Sequence, residues 1–416
     1  MARFRCIGSS CEASCCQGGW DISIDRAHYD KAKDVMRGVP GGRQEFDAKF
    51  QRVRGVARSN KHHALMVLQN NGDCSFLDRD KLCGLQKRFG EDVLSDTCAV
   101  YPRAPSLSGT RHEMAGVASC PEVARQLLLH ADAFDLDEVP ASTFLRSGIH
   151  QKLPAHPEQP YLRYHDELRN LVLDVLSDTL YPLDSRLFIV AYFANRTLEF
   201  LHREVQTLDE TRLEAEVVRV QNPELRKALH ERFQQLTVEA ALPSRIVLAL
   251  ATGRARTGEF GRLVTEVFEG YGGSAELAAG AQFEHEAERL LAAYTERKRA
   301  WSAFQPRIDL YLMNFTKNFW VREWYAKSPN LLVHHVQVLT HVAALRFFLY
   351  GHPDLAAAQH GEVAQKEAAL DRAVVDVVHK FSRAIDHDVP LRRALQEQLM
   401  DNKLVSLAHA ACLAGF

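Results

Sequence analysis

The chain has 416 residues, 46% hydrophobic and 25% charged, with a formal net charge of −2. That length supports a sizeable core and two domains rather than one, and the near-neutral balance gives no bulk electrostatic reason to expect a nucleic-acid partner. MARFRCIGSSC at the start lacks the apolar segment of a signal peptide, and no run of about 18 apolar residues is free of charge or histidine, so a cytoplasmic protein outside the membrane is expected.

The first segment is punctuated by Gly8, Gly18 and Gly19, which favour tight turns among its cysteines. WDISID (20–25) alternates apolar and polar residues as a short strand does. HYDKAKDVMRG reads as a helix closed by Gly38 and Pro40, and HHALMVLQNNGDCSFLD as strand, Asn-Asn-Gly turn and strand. KLCGLQKRFGEDVLSD places Cys83 on a short helix, CAVYPRAP leads Cys98 into a proline-stopped loop, and Pro121 starts a helix directly after Cys120. Prolines 140, 154, 157 and 160 mark 139–160 as a linker between a cysteine-rich domain (1–138) and a helical one (161–416). In the latter, RNLVLDVLSDTL, RLFIVAYFANRTLEFL, LRKALHERFQQL, AERLLAAYTERKRAW, LLVHHVQVLTHVAALRFFLYG and RAVVDVVHKFSRAID repeat apolar residues every three or four positions. The stretch from Leu331 to Tyr350 is broken by His334, His335, His341 and Arg346, so it reads as a buried amphipathic helix. The fold class expected is mainly α: a small cysteine-rich, metal-binding N-terminal domain with short strands, then an all-α domain.

Cysteine usage is the anomaly. Eight of nine cysteines lie between Cys6 and Cys120, in the spacing C-x4-C-x3-C-C and then Cys74, Cys83, Cys98 and Cys120. In a reducing compartment, clustered thiols point to metal or redox chemistry rather than disulfides. Four thiolates complete a zinc or iron–sulfur site. Eight serve two sites, or one site plus structural and reactive thiols. Zinc-ribbon C-x2-C pairs are absent, and so is the C-x3-C-x2-C pattern of radical S-adenosylmethionine enzymes, because the position after Cys11 and Cys15 is Gly18. Cys412 stands alone and reads as a core residue. GYGGS (270–274) follows a helical stretch rather than a strand, which disfavours a Rossmann-type methyltransferase. The histidine pairs His62–His63 and His334–His335, with His341, lack a carboxylate to complete a site and read as core side chains.

RCIGSSCEASCCQGGWDISID, CSFLDRDKLCGLQKRFGEDVLSDTCAVYPR and SCPEVARQLLL resemble the flagellin lysine-N-methylase family. The N-terminal part is similar to the wider group of zinc- or iron-chelating CxxCxxCC domains. The likeness extends through YLMNF (311–315) and FSRAIDH (381–387). Two departures are visible: CCQGGW carries one glycine more than the family's CCQGW, and NFWVREWY replaces a stretch expected to contain proline. Neither touches a cysteine.

The resemblance implies methyl transfer from S-adenosylmethionine to lysine ε-amines of flagellin, with a cysteine-ligated 4Fe-4S cluster, zinc being the alternative. It makes Cys6, Cys11, Cys15, Cys16, Cys74, Cys83, Cys98 and Cys120 the candidate ligands, without saying which four close the cluster, and gives the helical domain the role of gripping the protein substrate. A lysine amine, with a reference pKa near about 10.4, must lose its proton before it attacks a methyl group. The donor must lie in line with it, and a sulfonium gains from aromatic faces. Trp20, Tyr101 and Tyr311 are candidate walls, and Arg103 a candidate partner for a carboxylate or for an anionic thiolate centre; no catalytic base is identified. The rival reading is a non-catalytic zinc- or iron-binding adaptor, with metal storage a weaker third.

Overall fold

A computed structural model describes residues 3–17, 21–140, 146, 151–254, 258–273 and 283–416. The chain is 62% helical, mainly α, with its few short strands in the N-terminal region. It forms two compact units. The first comprises Met1–Leu107, His112–Val123 and Leu136–Lys152; the second comprises Ser108–Arg111, Ala124–Asp135 and Leu153–Phe416. Of the stretch 139–160, residues 141–145 and 147–150 lie outside the described residues, as do Trp20 and most of the 270–280 loop.

In the first unit, helix Arg26–Arg37 begins where the Asp25 carboxylate accepts the His28 amide at 3.0 Å, and its C-cap is Gly38. Capping of this kind satisfies a donor the helix itself leaves open. Tyr29, Ala32 and Met36 form the buried face. A second helix, Gly42–Lys49, runs into strand Phe50–Arg52. That strand and Ser23–Ile24 flank Ala64–Met66 in an antiparallel sheet. Tyr29, Phe46 and Phe50 fill the space beneath, with Tyr29 edge-on to Phe46 at 5.0 Å and Phe46 stacked on Phe50 at 4.5 Å.

Two expectations for this unit change. The turn after Met66 forms, but the second strand shrinks to a single bridge, Leu68 to Cys74, because the Cys74 amide donates instead to the Cys16 carbonyl at 2.7 Å. After Cys98, the expected proline-stopped loop is a strand, Arg103–Ser108, between Arg111–Gly116 and Gln151–Leu153. Helix Pro121–Leu128 starts at its proline, as expected.

The second unit is helical. The periodic stretches become His165–Ser177, Leu183–Arg196, Pro223–Gln234, Phe283–Ala300, Leu331–Gly351 and Val363–Phe381. Further helices, among them Glu210–Gln221, Gly258–Gly270, Gln305–Arg322 and Leu407–Gly415, join them. Leu331–Gly351 is buried at all 21 positions rather than along one stripe. Among the described residues it is the one helix long and apolar enough to cross a membrane, and it lies wholly inside its unit. Its arginine is accommodated because Arg346 donates to the Ala414 carbonyl at 2.7 Å and pairs with Asp184. The helix closes on Gly351, where a Cβ would lie 2.5 Å from Tyr271 Cε2 and 2.6 Å from Val267 Cγ1. Side chains in a close-packed core yield at a cost, so Gly351→Ala is expected to destabilise the protein by about 1–3 kcal/mol. The check is urea denaturation, and an unchanged midpoint would refute the close-approach argument.

Candidate metal centre

All eight N-terminal cysteines fall in the first unit, and none of the nine in the chain is in a disulfide. Backbone bonds bring one group of them together. Cys16 sits in a turn, its amide donating to Ser14 Oγ at 3.3 Å, while Ser14 Oγ donates to the Lys81 carbonyl at 3.4 Å. Cys74 is anchored to the same turn by its bond to the Cys16 carbonyl. Two residues on, the Phe76 carbonyl accepts the Gly84 amide at 2.8 Å, and a bridge joins Leu77 to Cys83. Cys83 is therefore the N-cap of helix Gly84–Phe89, one residue before the helix rather than on it. Cys98 lies in helix Asp96–Val100, where Ser95 accepts its amide at 3.3 Å. Cys74 is fully buried, and Cys16, Cys83 and Cys98 pack against the same core.

The outcome is a hub. The Cys16 sulfur is within hydrogen-bonding reach of Cys15, Cys74 and Cys83, which together with burial hold its proton far above the ordinary thiol range. The partners move the opposite way: Cys83 is lowered by Cys16 and by the Gln86 and Leu85 amides at the helix start, and Cys74 by Cys16 and the Phe76 amide, in both cases against desolvation. These sulfurs are soft donors, the type that suits a thiophilic cation. Cys98 is pushed up to about 12, by burial first and then by Cys83, Cys74 and Cys15. Cys6, Cys11 and Cys120 are not among these partners. Cys120 is pushed up to about 11 by burial, countered by the Val123 and Glu122 amides, and feels Cys11 and Cys6. Tyr101 and Arg103 lie with this second set: the Tyr101 hydroxyl is 3.0 Å from Ser119 Oγ, and the Arg103 guanidinium is 5.6 Å from the centre of the Phe4 ring.

Among the described residues, the one trio of ligand atoms lying within 4.8 Å of one another is Asp25, His28 and Asp96. It is an ion-pair clasp. Arg146 donates to His28 Nε2 (2.5 Å), to the Leu94 carbonyl (2.8 Å) and to the Glu91 carbonyl (2.6 Å), so the His28 proton sits on Nδ1 toward Asp25. Sequence inspection missed this clasp, because an Asp-x-x-His at a helix start says nothing of an arginine more than a hundred residues on.

The remaining singled-out residues pack. His63 lies 5.0 Å from the Tyr29 ring, and His62 Nδ1 is 2.7 Å from Ser23 Oγ. His335 Nε2 donates to the Leu187 carbonyl at 2.9 Å, and His334 Nδ1 is 3.2 Å from Ser328 Oγ. Tyr311, a candidate wall, is 1% exposed, its hydroxyl held by Asp371 and Arg307 inside the helical unit. Cys412 is half-buried rather than a core residue. FSRAIDH ends in a π-helix, Ser382–Asp386, that places Asp386 against Arg322 at 3.2 Å and His341 at 3.5 Å.

A disulfide-free, thiol-gathering unit followed by an all-helical unit defines a cysteine-centred protein unlike a Rossmann-type transferase. Residues 169–413 match the family described as FliB lysine N-methylase C-terminal domain. With more than half of its length matched, the chain belongs to the FliB lysine N-methylase family. It is 30% identical over 150 residues to the lysine-N-methylase of Salmonella typhimurium, and 29% identical over 150 residues to that of Salmonella choleraesuis; each match covers 33% of this chain and 33% of the relative. The matched segment thus spans about a third of these two relatives. Flagellar biosynthetic protein FliU of Salmonella muenchen is 29% identical over 161 residues, 36% of this chain and 84% of that protein. No solved structure matches.

Proposed function

We propose that this protein is a cytoplasmic methyltransferase that moves methyl groups from S-adenosylmethionine to lysine ε-amines of flagellin and depends on a 4Fe-4S cluster held by Cys15, Cys16, Cys74 and Cys83. The observation that carries the reading is the Cys16 hub, in a chain whose helical part belongs to a lysine N-methylase family. The names of the relatives supply the amine and the flagellar context. The donor set is all sulfur, suited to a thiophilic centre. A single tetrahedral zinc requires thiolates about 3.8 Å apart, from zinc–sulfur bonds near about 2.3 Å. No three cysteine sulfurs among the described residues lie within 4.8 Å of one another, so the arrangement does not match that spacing. Bound there, the cluster supplies redox-capable iron and a cross-link between the N-terminal turn and the Cys74–Cys83 segment.

The chain's own residues meet the remaining demands. Arg103 offers a fixed cation for the donor's carboxylate, and Tyr101 an aromatic face for its sulfonium. The helical unit presents the surface that grips flagellin.

The test is direct. Anaerobically purified protein is incubated with flagellin and S-adenosylmethionine, and flagellin is read by mass spectrometry. A brown protein and lysines heavier by whole methyl increments are expected. A colourless, zinc-loaded protein with unmodified flagellin would make the chain a metal-bearing adaptor instead.

A further inference from the structure

Deep in the helical unit, Arg322 bridges two carboxylates, Glu323 at 3.1 Å and Asp386 at 3.2 Å. The π-helix Ser382–Asp386 delivers Asp386 to this place, and single π-turns of this kind recur at functional sites. His341 stands beside them, its Nδ1 3.5 Å from Asp386 Oδ1. Asp386 Oδ1, both His341 ring nitrogens and the Ser382 hydroxyl, on the same π-turn as Asp386, have no hydrogen-bond partner among the described residues. All three side chains are at most 2% exposed. Buried polar atoms left open in this way are rare and costly, and they call for an occupant. The chemistry of that occupant follows from the atoms. Burial keeps the His341 ring neutral, pushing it down to about 4, so one of its nitrogens accepts a hydrogen bond. The Asp386 carboxylate accepts as well, and a serine hydroxyl has acceptor lone pairs. A cationic group with several N–H donors matches them.

The helix that covers this network is held by polar bonds. Helix Val389–Asp401 packs on Leu331–Gly351 and on the π-helix. Arg392 pairs with Glu323 at 2.7 Å, and Gln396 donates to Ser328 Oγ at 2.9 Å and to Gln337 Oε1 at 2.5 Å. Leu399 is its one fully buried side chain. Such bonds are exchanged for bonds to water at a small net cost, whereas a helix seated on many apolar side chains gives up its burial when it lifts. Both ends of the helix meet irregular backbone: the π-helix precedes it, and Lys403, in the left-handed region at φ +54°, follows it. We infer that helix Val389–Asp401 is a lid over a binding site for a primary ammonium group, held between Asp386 and His341, and that this group is a lysine side chain of a protein partner. Arg392 leaves Glu323 when the lid lifts, and the entering ammonium restores the positive charge that departed. The Phe319 ring, 5.3 Å from the His341 ring, gives the lysine stem an apolar wall. The site gives the helical unit a means of gripping its protein substrate, and it rests on the methyl-transfer reading only for naming lysine as the source of the amine.

The test uses the full chain, with Nα-acetyl-lysine-N-methylamide as probe and the corresponding norleucine amide as its uncharged control. Equilibrium dialysis gives the affinities, and hydrogen exchange read by mass spectrometry follows residues 389–401. Wild type should bind the lysine amide in preference to the norleucine amide. Gln396→Ala removes both Gln396 bonds and none of the proposed contacts. It should speed exchange across 389–401 and tighten lysine-amide binding by about threefold to tenfold, because more of the molecules are open. Asp386→Asn should weaken that binding by about tenfold or more, as loss of a hydrogen bond to a charged group does. Equal binding of the two amides overturns the inference. So does a Gln396→Ala protein with wild-type exchange and affinity, or a folded Asp386→Asn protein that binds as wild type does. Circular dichroism checks folding, and if Asp386→Asn unfolds, the Gln396→Ala comparison decides alone. Binding of neither amide by Gln396→Ala leaves a buried water as the occupant and also overturns the inference. Methylated flagellin beside amide binding indifferent to Asp386 and Gln396 removes this inference alone, and amide binding as expected beside unmethylated flagellin removes the methyl-transfer reading alone.

Discussion

Cys16→Ser is expected to empty the four-cysteine centre and to lower flagellin methylation by more than about 100-fold, beyond what losing an outer-sphere partner of a metal costs. Cys15, Cys74 and Cys83 all act on the Cys16 thiol, so its removal takes out a contact that the set shares. Serine preserves size and the turn, whose bonds run through the Cys16 backbone and Ser14. What changes is the donor atom, from soft sulfur to hard oxygen, which a thiophilic metal binds poorly. Cys412→Ser, at the far end of the sequence in the helical unit, should leave metal and activity untouched. Metal analysis and anaerobic absorbance check the first part, and mass spectrometry of flagellin the second. A brown, fully loaded Cys16→Ser protein would remove the hub from the centre.

That the cysteines matter was visible from their clustering alone, but how they divide was not. Cys16 and Cys83, far apart in sequence, act on one another. Spacing carries no record of which turn folds back on which bridge. Helix ends were legible where chemistry marks them: Gly38 closes one helix and Pro121 opens another, whereas Asp25, read as the end of a strand, caps the first. Helix Gln305–Arg322 was not, because thirteen of its residues are buried and no polar face remains to show a period. Strand Arg103–Ser108 escaped notice because prolines 102 and 105 signal a loop, and neighbours on both sides form the sheet regardless. The π-helix at 382–386 has no sequence signature; its meaning lies in delivering Asp386 to Arg322 and His341.

The helical unit is expected to lose stability steeply as pH falls from about 6.5 toward about 4.5, the interval in which only its histidines change charge on unfolding. Burial is the leading cause for each ring. It pushes His334 down to about 3, and His335, His341 and His387 down to about 4. For His341, Arg392 and Arg322 add to the effect while Asp386 opposes it. These rings stay neutral in the fold and take up a proton in the unfolded chain, whose histidines titrate near about 6.5. Above that pH neither state binds the proton and stability is full; below it the unfolded state gains, by about 1.4 kcal/mol per ring per pH unit. Four rings give about 5 kcal/mol per unit at the steepest, comparable with the whole stability of an ordinary domain. Below about 4.5 the carboxylates join: burial raises Glu323, but Arg322, Arg392 and Lys327 outweigh it and hold it well below the usual range, so its contribution is lost as acid protonates it. Tryptophan fluorescence reads this unit, which contains Trp301, Trp320 and Trp324, with Trp320 at 4.6 Å from the His334 ring. His335→Gln keeps a donor for the Leu187 carbonyl and deletes one titrating group, so its melting temperature should fall less between pH 6.5 and 5. A melting temperature that is level from pH 7 to pH 5 in the wild type would show that these rings are not buried neutral.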